Sequence, residues 1–496
     1  MVWHHSQAEL IEAGKILLKI LEDYYGDPGS GSILEYRSKA EILEEFPLQE
    51  APEGSRPLTE VLEEFRSSIL PLSVKTWHPG FMNQMFAGAS FPSIVGDLMA
   101  SMMNPTLATW EMSPVATWIE RSCSRWMARL LGMPDGSSGI FLPGGSLSNL
   151  MAMTLARHRI LGPELRQKGL PQGVKPVILC SAASHYSIRN AANILGLGTE
   201  AVLAIATNQR GEMLPDHLHH HLERLEGEGL LPMAVVATLG LTVTGGFDPL
   251  GEMADLCRGR HLHLHADAAF GGGMCLTRDR DRLFRGIESV DSVTWDAHKT
   301  MHTPLTCSVL LVPDLNELKA AFSHDAAYLF HPQEADELED LGKFTLLCGK
   351  RFDALKIWLL WNTYGSRFFR QMAQERLDLA RSFHQVLQDH PHFTPAYEPV
   401  SPIQCFRFTP CGRAVDPPGQ ADRLHREIRE AIKQKGQCYI NVSSLNGSTQ
   451  FRTILINPLT QLSHLRDLLA CIEAEGFQRL AQHSHPAATG SGAAVS

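Results

Sequence analysis

The chain has 496 residues and a formal charge of −10, from 44 Lys and Arg against 54 Asp and Glu, with 44% hydrophobic and 20% charged residues. That is the composition of a folded globular protein, and without a dense basic block it excludes nonspecific nucleic-acid binding. No stretch approaches the roughly 18 consecutive apolar residues of a membrane-spanning helix, and Met1–His5 lacks the charged-then-apolar pattern of a secretory signal. The ten cysteines are scattered, with no Cys-x-x-Cys pair, so we expect a reduced, cytoplasmic protein without a metal ribbon or disulfide framework.

In chain order, Leu10, Ile11, Ile16, Leu17, Ile20 and Leu21 recur at helical spacing and predict a helix over 7–24, broken by the Gly- and Ser-rich stretch 26–32. A second helix is expected over 58–70, with Pro57 at its entrance. From about 140 to 315, β-rich runs at 174–180, 201–207, 233–239, 261–266, 292–295 and 307–312 alternate with helical stretches at 146–161 and 185–197. Such alternation indicates an α/β layer with a mostly parallel sheet. Beyond about 355, amphipathic helices at 421–435 and 461–475 flank strand-like runs at 404–408 and 451–456, which suggests a smaller α+β domain with 409–420 looping out. The expected division is a helical arm (1–75), a large α/β domain (76–355), a small C-terminal domain (356–482) and a disordered tail (483–496).

Four features of the α/β part carry chemistry. Pro143-Gly144-Gly145-Ser146-Leu147-Ser148-Asn149 opens a helix; such a turn can cradle a phosphate on backbone N–H groups, or it can be a simple capped turn. Asp267 ends the run that begins at His261, at a strand terminus where ligands bind in open α/β sheets; it could equally cap the next turn. Lys299 follows the strand at 292–295, placed for Schiff-base chemistry if it lies in a pocket. His185, in Ser184-His185-Tyr186, follows the strand ending at Cys180 and could stack on a planar ring or exchange a proton. Phosphate cradle, ring-facing histidine, aspartate and lysine are together the parts that pyridoxal phosphate requires. The histidines at 217, 219, 220 and 221 include an i, i+4 pair, but no adjacent Glu or third ligand, so a solvated helix face is expected and no metal. His261, His263 and His265 alternate along a strand and are read as packing.

With these motifs in order, the chain resembles the group II pyridoxal-phosphate-dependent amino acid decarboxylases of the fold-type-I (aspartate aminotransferase-like) superfamily. The resemblance covers about residues 60–478. It includes His78-Pro79-Gly80-Phe81-Met82-Asn83-Gln84, Gly144-Gly145, Ala237-Thr238-Leu239-Gly240-Leu241-Thr242, Asp248-Pro249, Asp267-Ala268-Ala269, His298-Lys299, Cys348-Gly349-Lys350-Arg351 and the segment from Phe451 to Pro458. Ser73-Val74-Lys75-Thr76, Asn83-Gln84 and Ala327-Tyr328-Leu329-Phe330 look most like the glutamate and cysteine-sulfinate branch.

The resemblance implies a pyridoxal 5'-phosphate enzyme that removes the α-carboxylate of an L-amino acid as CO2. It implies Lys299 as the Schiff-base residue, Asp267 on the pyridine N–H, His185 and Ala269 on the two ring faces, and Thr242 near the phenolic oxygen. Gly145, Ser146, Ser148 and His298 would hold the phosphate. Arg452 matches the position that binds a substrate carboxylate, and Gln84 one near the substrate's distal group. Phe86 aligns where the cysteine-sulfinate enzymes carry Phe and the glutamate enzymes a small residue, with Thr106 and Ala108 in the same wall; a short acidic substrate such as aspartate or cysteine sulfinate follows, ahead of glutamate. A homodimer with active sites at the interface is also implied.

Two departures stand out. Asp296-Ala297 precede His298 where the family often has Asn-Pro, and a carboxylate beside a phosphate is unfavourable unless bonded elsewhere, so Asp296 is expected to turn away. The 331–340 loop lacks the tyrosine that often reprotonates the product; Glu339 falls at that position, leaving His331, His185 or Lys299 as donors. A branch with that tyrosine altered makes aldehydes, so an aldehyde synthase is the alternative reading, followed by another fold-type-I enzyme such as an aminotransferase. A non-catalytic relative would be marked by loss of Lys299 or Asp267, and both are present.

Overall fold

The computed structural model describes residues 6–47, 50–324, 326, 330, 340–412 and 418–484. The chain forms two compact units, each discontinuous in sequence: one of Met1–Gln84, Ser382–Ala396 and Cys405–Ser496, the other of Met85–Arg381 and Tyr397–Gln404. No helix among the described residues is long and apolar enough to cross a membrane.

The first unit opens with α1 (Gln7–Tyr25), α2 (Lys39–Glu45) and α3 (Leu58–Glu64). Ser6 starts α1 by accepting the Glu9 N–H while the Glu9 carboxylate accepts the Ser6 N–H, a reciprocal cap that satisfies two orphan donors. The helix expected over 58–70 is shorter: α3 ends at Glu64 and the chain widens into a π-helical turn at Phe65–Ile69.

The larger unit contains α4 (Phe91–Met103), α5 (Pro114–Leu131), β1 (Ser138–Leu142), α6 (Gly145–Leu161), α7 (Leu165–Lys168), β2 (Pro176–Ser181), α8 (Ser187–Ile194), β3 (Val202–Ile205), α9 (Pro215–Glu228) and β4 (Leu231–Thr238). It continues with α10 (Leu250–Cys257), β5 (His263–Asp267), α11 (Arg280–Leu283), β6 (Ser292–Asp296), α12 (Ala297–Thr300), β7 (Ser308–Val312), α13 (Leu315–Phe322) and α14 (Ala354–Asp389), the last running on into the first unit.

These strands form a seven-stranded sheet in the order β1-β7-β6-β5-β4-β2-β3. β3, β2, β4, β5 and β6 are mutually parallel, and β7 is antiparallel to both β6 and β1. The core strands are buried along their length, which is why they read as apolar runs without alternation. The register aligns Thr238 with Asp267, Asp267 with Thr294, Asp296 with Ser308 and Ser308 with Leu142. The carboxyl ends of β4, β5, β6 and β1 therefore meet along one edge, where ligands bind in such sheets.

The first unit is completed by β8 (Phe393–Pro395), β9 (Ile403–Phe408), α15 (Pro418–Lys435), β10 (Asn441–Leu445), β11 (Ser448–Ile454) and α16 (Leu462–Ser484). Its sheet has the order β10-β11-β9-β8. The two-residue turn Asn446-Gly447, both at positive φ, joins β10 to β11. Early and late segments of the sequence meet here. Met82 N–H donates to the Tyr439 carbonyl (2.9 Å), Ile454 N–H to the Met82 carbonyl (3.0 Å) and Asn457 Nδ2 to the His78 carbonyl (2.8 Å). The motif segments 78–84 and 451–458 are thus one hydrogen-bonded structure. The expected tail begins inside α16, and residues 485–496 lie outside the described residues.

Candidate active site

The sheet edge carries a cavity of about 340 Å³, within the size range of small-ligand sites. It is lined from β1 and the start of α6 by Gly144, Gly145, Ser146 and Asn149, after β2 by His185, and after β4 by Thr242. Asp267 and Ala269 line it after β5, and Asp296, His298 and Lys299 after β6. Seven residues singled out with Lys299 in the sequence, namely Gly145, Ser146, His185, Thr242, Asp267, Ala269 and His298, share the cavity with it.

Asp267 is 5% exposed. Its Oδ1 accepts the Ala269 N–H (3.1 Å) and its Oδ2 accepts from Asn149 Nδ2 (2.9 Å). Asn149 is itself fixed on both ends: Nδ2 also donates to Ser187 Oγ (2.9 Å), and Oδ1 accepts from His265 Nε2 (3.1 Å). His265 Nδ1 in turn meets Ser292 Oγ (2.8 Å), which also meets His263 Nε2 (2.8 Å). Burial pushes the His265 imidazole down to about 4 and His263 well below its ordinary value, so both rings are neutral. A neutral His265 that donates from Nε2 accepts the Ser292 hydroxyl proton at Nδ1, and the chain of donors runs from His263 through Ser292, His265 and Asn149 to the carboxylate. His263 and His265, read from the sequence as packing, are a hydrogen-bonded support for Asp267, while His261 is exposed and precedes the strand.

His185 Nδ1 lies 2.9 Å from Ser187 Oγ and accepts the Ser187 N–H (3.3 Å), which places its proton on Nε2. Burial, opposed by the nearby Asp267, lowers its basicity. Because Asn149 bonds both Ser187 and Asp267, one amide sets the positions of the histidine and the aspartate.

Asp296 does not turn away. It is buried, with Oδ2 3.2 Å from Lys299 Nζ and 3.6 Å from His298 Nε2. A Cβ at Gly145 would lie 2.7 Å from the same oxygen, so only glycine lets the start of α6 approach it. His298 Nδ1 is engaged by the Cys307 backbone, 2.9 Å from its carbonyl, and burial lowers the ring's basicity.

The remaining sequence candidates lie elsewhere. Ser148 is fully buried; its Oγ accepts from Thr294 (2.9 Å), and it is outside the cavity lining. Half-buried Phe86 is also outside the lining, where its neighbour Met85 takes part. Thr106 Oγ1 accepts the N–H groups of Ala108 (3.3 Å) and Lys350 (3.4 Å), a structural use. Gln84, exposed, and Arg452, buried on β11, belong to the other unit. His331, Glu339 and Tyr328 lie outside the described residues. The 217–221 histidines sit on α9, with His219 paired to Glu223 at 3.1 Å on an exposed face; among the described residues no group of three potential ligands could hold a metal ion.

The cavity fits pyridoxal phosphate on its own terms. A helix N-terminus that no side chain caps takes an anion, a lysine amine lines the same cavity, and a carboxylate held by Asn149 and the Ala269 N–H lines it from the next strand. Those groups, at the carboxyl edge of a mostly parallel sheet with a smaller antiparallel sheet in the other unit, are the organisation of the fold-type-I pyridoxal-phosphate enzymes.

Comparison with known proteins then gives the family. Residues 41–409 match the pyridoxal-dependent decarboxylase conserved domain, and the chain belongs to that family: it is a pyridoxal-phosphate-dependent amino acid decarboxylase. It is 34% identical over 454 residues to the acidic amino acid decarboxylase GADL1 of Bos taurus, covering 90% of this chain and 86% of that one. It is 33% identical to the cysteine sulfinic acid decarboxylase of Mus musculus, covering 91% and 92%. The crystal structure of mouse CSAD superposes with a TM-score of 0.89 at 30% identity, covering 95% and 99%. A Rhodiola rosea 4-hydroxyphenylacetaldehyde synthase, at 23% identity and TM-score 0.85, shares the fold. The matched decarboxylases do not favour the aldehyde-synthase alternative.

Proposed function

We propose that the chain decarboxylates a short acidic L-amino acid, aspartate or cysteine sulfinate ahead of glutamate, to the corresponding amine, with Lys299, Asp267 and His185 as its catalytic residues. The observation that carries the site is the single cavity uniting Lys299, Asp267, His185 and the bare start of α6. The acidic substrate is supported by the relatives, whose names specify acidic amino acids and cysteine sulfinic acid.

Bound pyridoxal phosphate supplies an electron sink for the pair left behind when CO2 departs. The protein's part follows from its own groups. Lys299 Nζ provides the amine that anchors the cofactor and, once released, a proton carrier. Asp267, its oxygens held by Asn149 and the Ala269 N–H, would keep a proton on the pyridine nitrogen of the bound cofactor. His185, with its Nε2 proton, and Ala269 line the cavity and would cover the two faces of the cofactor ring. Gly145, Ser146 and His298 would hold the phosphate, and Thr242 would lie near the phenolic oxygen. Arg452 and Gln84 are assigned to the substrate by resemblance alone. Reprotonation of the product falls to Lys299 or His185, since the loop carries no tyrosine between 331 and 340.

We further infer a cytoplasmic homodimer. Ten free cysteines support the reducing compartment, and large exposed apolar side chains on α4 and α5 support a second copy as partner.

The test is a CO2-release screen of the purified protein across L-amino acids, with products identified. Amine from an acidic substrate is expected; aldehyde with ammonia and peroxide, or a keto acid, would overturn the reading. Borohydride should fix the cofactor on Lys299, and Lys299→Ala should lose that capture and lower turnover by several orders of magnitude.

A further inference from the structure

Asp296 holds an unusual position. It ends β6 and is only 3% exposed in its side chain, and its Oδ1 has no hydrogen-bond partner among the described residues. Its Oδ2 stands against Gly145, the first residue of the 17-residue helix α6, and 3.2 Å from Lys299 Nζ. A helix start draws anions, and here a resident carboxylate already lies in the space where the proposed phosphate cradle begins.

We propose that Asp296 is a positioning residue that opposes the cofactor's phosphate: it holds Lys299 as an ion pair when the cofactor is absent, and it weakens phosphate binding as pH rises. The inference rests on the assignment of Gly145, Ser146 and Lys299 to the cofactor. Two anions in one buried site repel unless a proton lies between them. Beside Asp296 the phosphate dianion is therefore disfavoured relative to the monoanion, which carries its own proton. Near and below the phosphate's second pKa of about 6 the monoanion is available; at alkaline pH the dianion prevails, and affinity falls.

The surroundings are compatible with this. From α12, Asp296 faces His298 and Lys299. Ser308 of β7 stands opposite it, and the cavity brings His185 and Asp267 from the neighbouring strand ends. Lys356 is committed to Asp353 (2.9 Å), Asp97 (3.1 Å) and the Thr306 carbonyl (2.9 Å). The first turn of α6, Gly145 to Ser148, brings no titratable side chain. His298 is held neutral by burial, which leaves Lys299 as the counter-ion, and that lysine's amine is consumed when the cofactor is anchored. Asparagine would fill the same volume with no charge.

The experiment uses full-length protein stripped of cofactor. Dissociation constants are measured by equilibrium dialysis from pH 6 to 8.5 for pyridoxal 5'-phosphate, inorganic phosphate and pyridoxal, with wild type, Asp296→Asn and Asp296→Ala. Expected for Asp296→Asn is about tenfold tighter binding of both phosphate-bearing probes at pH 8.5. The gain should shrink toward pH 6, with pyridoxal little changed, and Asp296→Ala should follow the same trend. Equal or weaker phosphate binding by both variants at every pH would overturn the proposal, as would an equal gain for pyridoxal. Borohydride fixation on Lys299 in wild type is run alongside. Its absence would overturn the cofactor assignment itself, a result separable from unchanged affinity on an intact Lys299 adduct.

Discussion

His265 is buried in the middle of a parallel sheet, and its ring is kept neutral so that it can donate to Asn149 and accept from Ser292. A histidine with its folded value depressed stabilises the native state fully above the unfolded value, near 6.5, and that contribution is lost as pH falls toward 4. For this one residue the loss amounts to about 3 kcal/mol by pH 4. Urea midpoints should therefore fall between pH 7 and 5, and His265→Asn should show a shallower fall than wild type; parallel curves would contradict the account. Protonation there would place a second proton on Nδ1, which can then no longer accept from Ser292, so the relay behind Asn149 and Asp267 is broken at that link and activity should decline in the same window. At this scale Lys299, Asp267 and His185 were legible because each follows a β-rich run, which puts it at a strand terminus. Asn149 and His265 were not, because their roles arise only when α6 packs across β5, a contact that no local pattern encodes. Asp296 was noticed for its charge but misjudged in direction: the bare start of α6 leaves room for its carboxylate.

Among the elements, β1 is the one at the outer edge of the sheet beside β7. Its outward backbone is taken by a buried ion pair. Glu120 Oε1 of α5 accepts the Phe141 N–H (3.0 Å), Lys350 Nζ donates to the Phe141 carbonyl (3.0 Å), and the two side chains meet at 2.6 Å. The pair is 1% and 0% exposed. Burial pushes the Glu120 carboxyl up, opposed by Lys350 and the Phe141 N–H. Such a pair closes an otherwise free strand edge. Removing one partner strands the other in the core, so Glu120→Ala should cost about 3–5 kcal/mol. Glu120→Leu combined with Lys350→Met should recover part of that in thermal or urea unfolding; full additivity of the two losses would argue against coupling. β1 itself escaped the sequence reading because five residues beginning Ser-Gly resemble a turn. β10 escaped for a different reason: its short run is polar, although Asn446-Gly447 is a strong hairpin signal that could have revealed it.

For the whole molecule, α4 is built the wrong way round for an isolated chain. Its small residues Ser93, Gly96 and Ala100 are buried, while Phe91, Leu98, Met102 and Met103 are exposed at 59%, 56%, 75% and 52%. A Cβ at Gly96 would lie 2.9 Å from the Leu355 carbonyl, which explains the small inner face. Val115 and Trp118 of α5 are exposed too, at 69% and 57%. Large apolar patches of this kind mark interfaces. Sedimentation velocity should give twice the 54.9 kDa chain mass, and Met102→Glu with Trp118→Glu should halve it; a monomeric wild type or an unaltered double variant would sink the dimer. The α/β core and the later α+β sheet were both legible from periodicity. The grouping of residues 1–84 with those beyond 405 was not, since it rests on pairings between segments far apart in sequence.

That pairing has a consequence for how the protein is made. Ile33 donates to the Gly436 carbonyl, and Phe81 bridges to Tyr439. During synthesis the segment through Gln84 leaves the ribosome without the strands it belongs to, while the entire α/β unit can assemble behind it. The segment through Gln84 is therefore translated before its partners and is among the last parts to be completed. A chain halted before Tyr439 should hold a formed α/β sheet and a protease-sensitive leading segment, protected only once the final hairpin emerges.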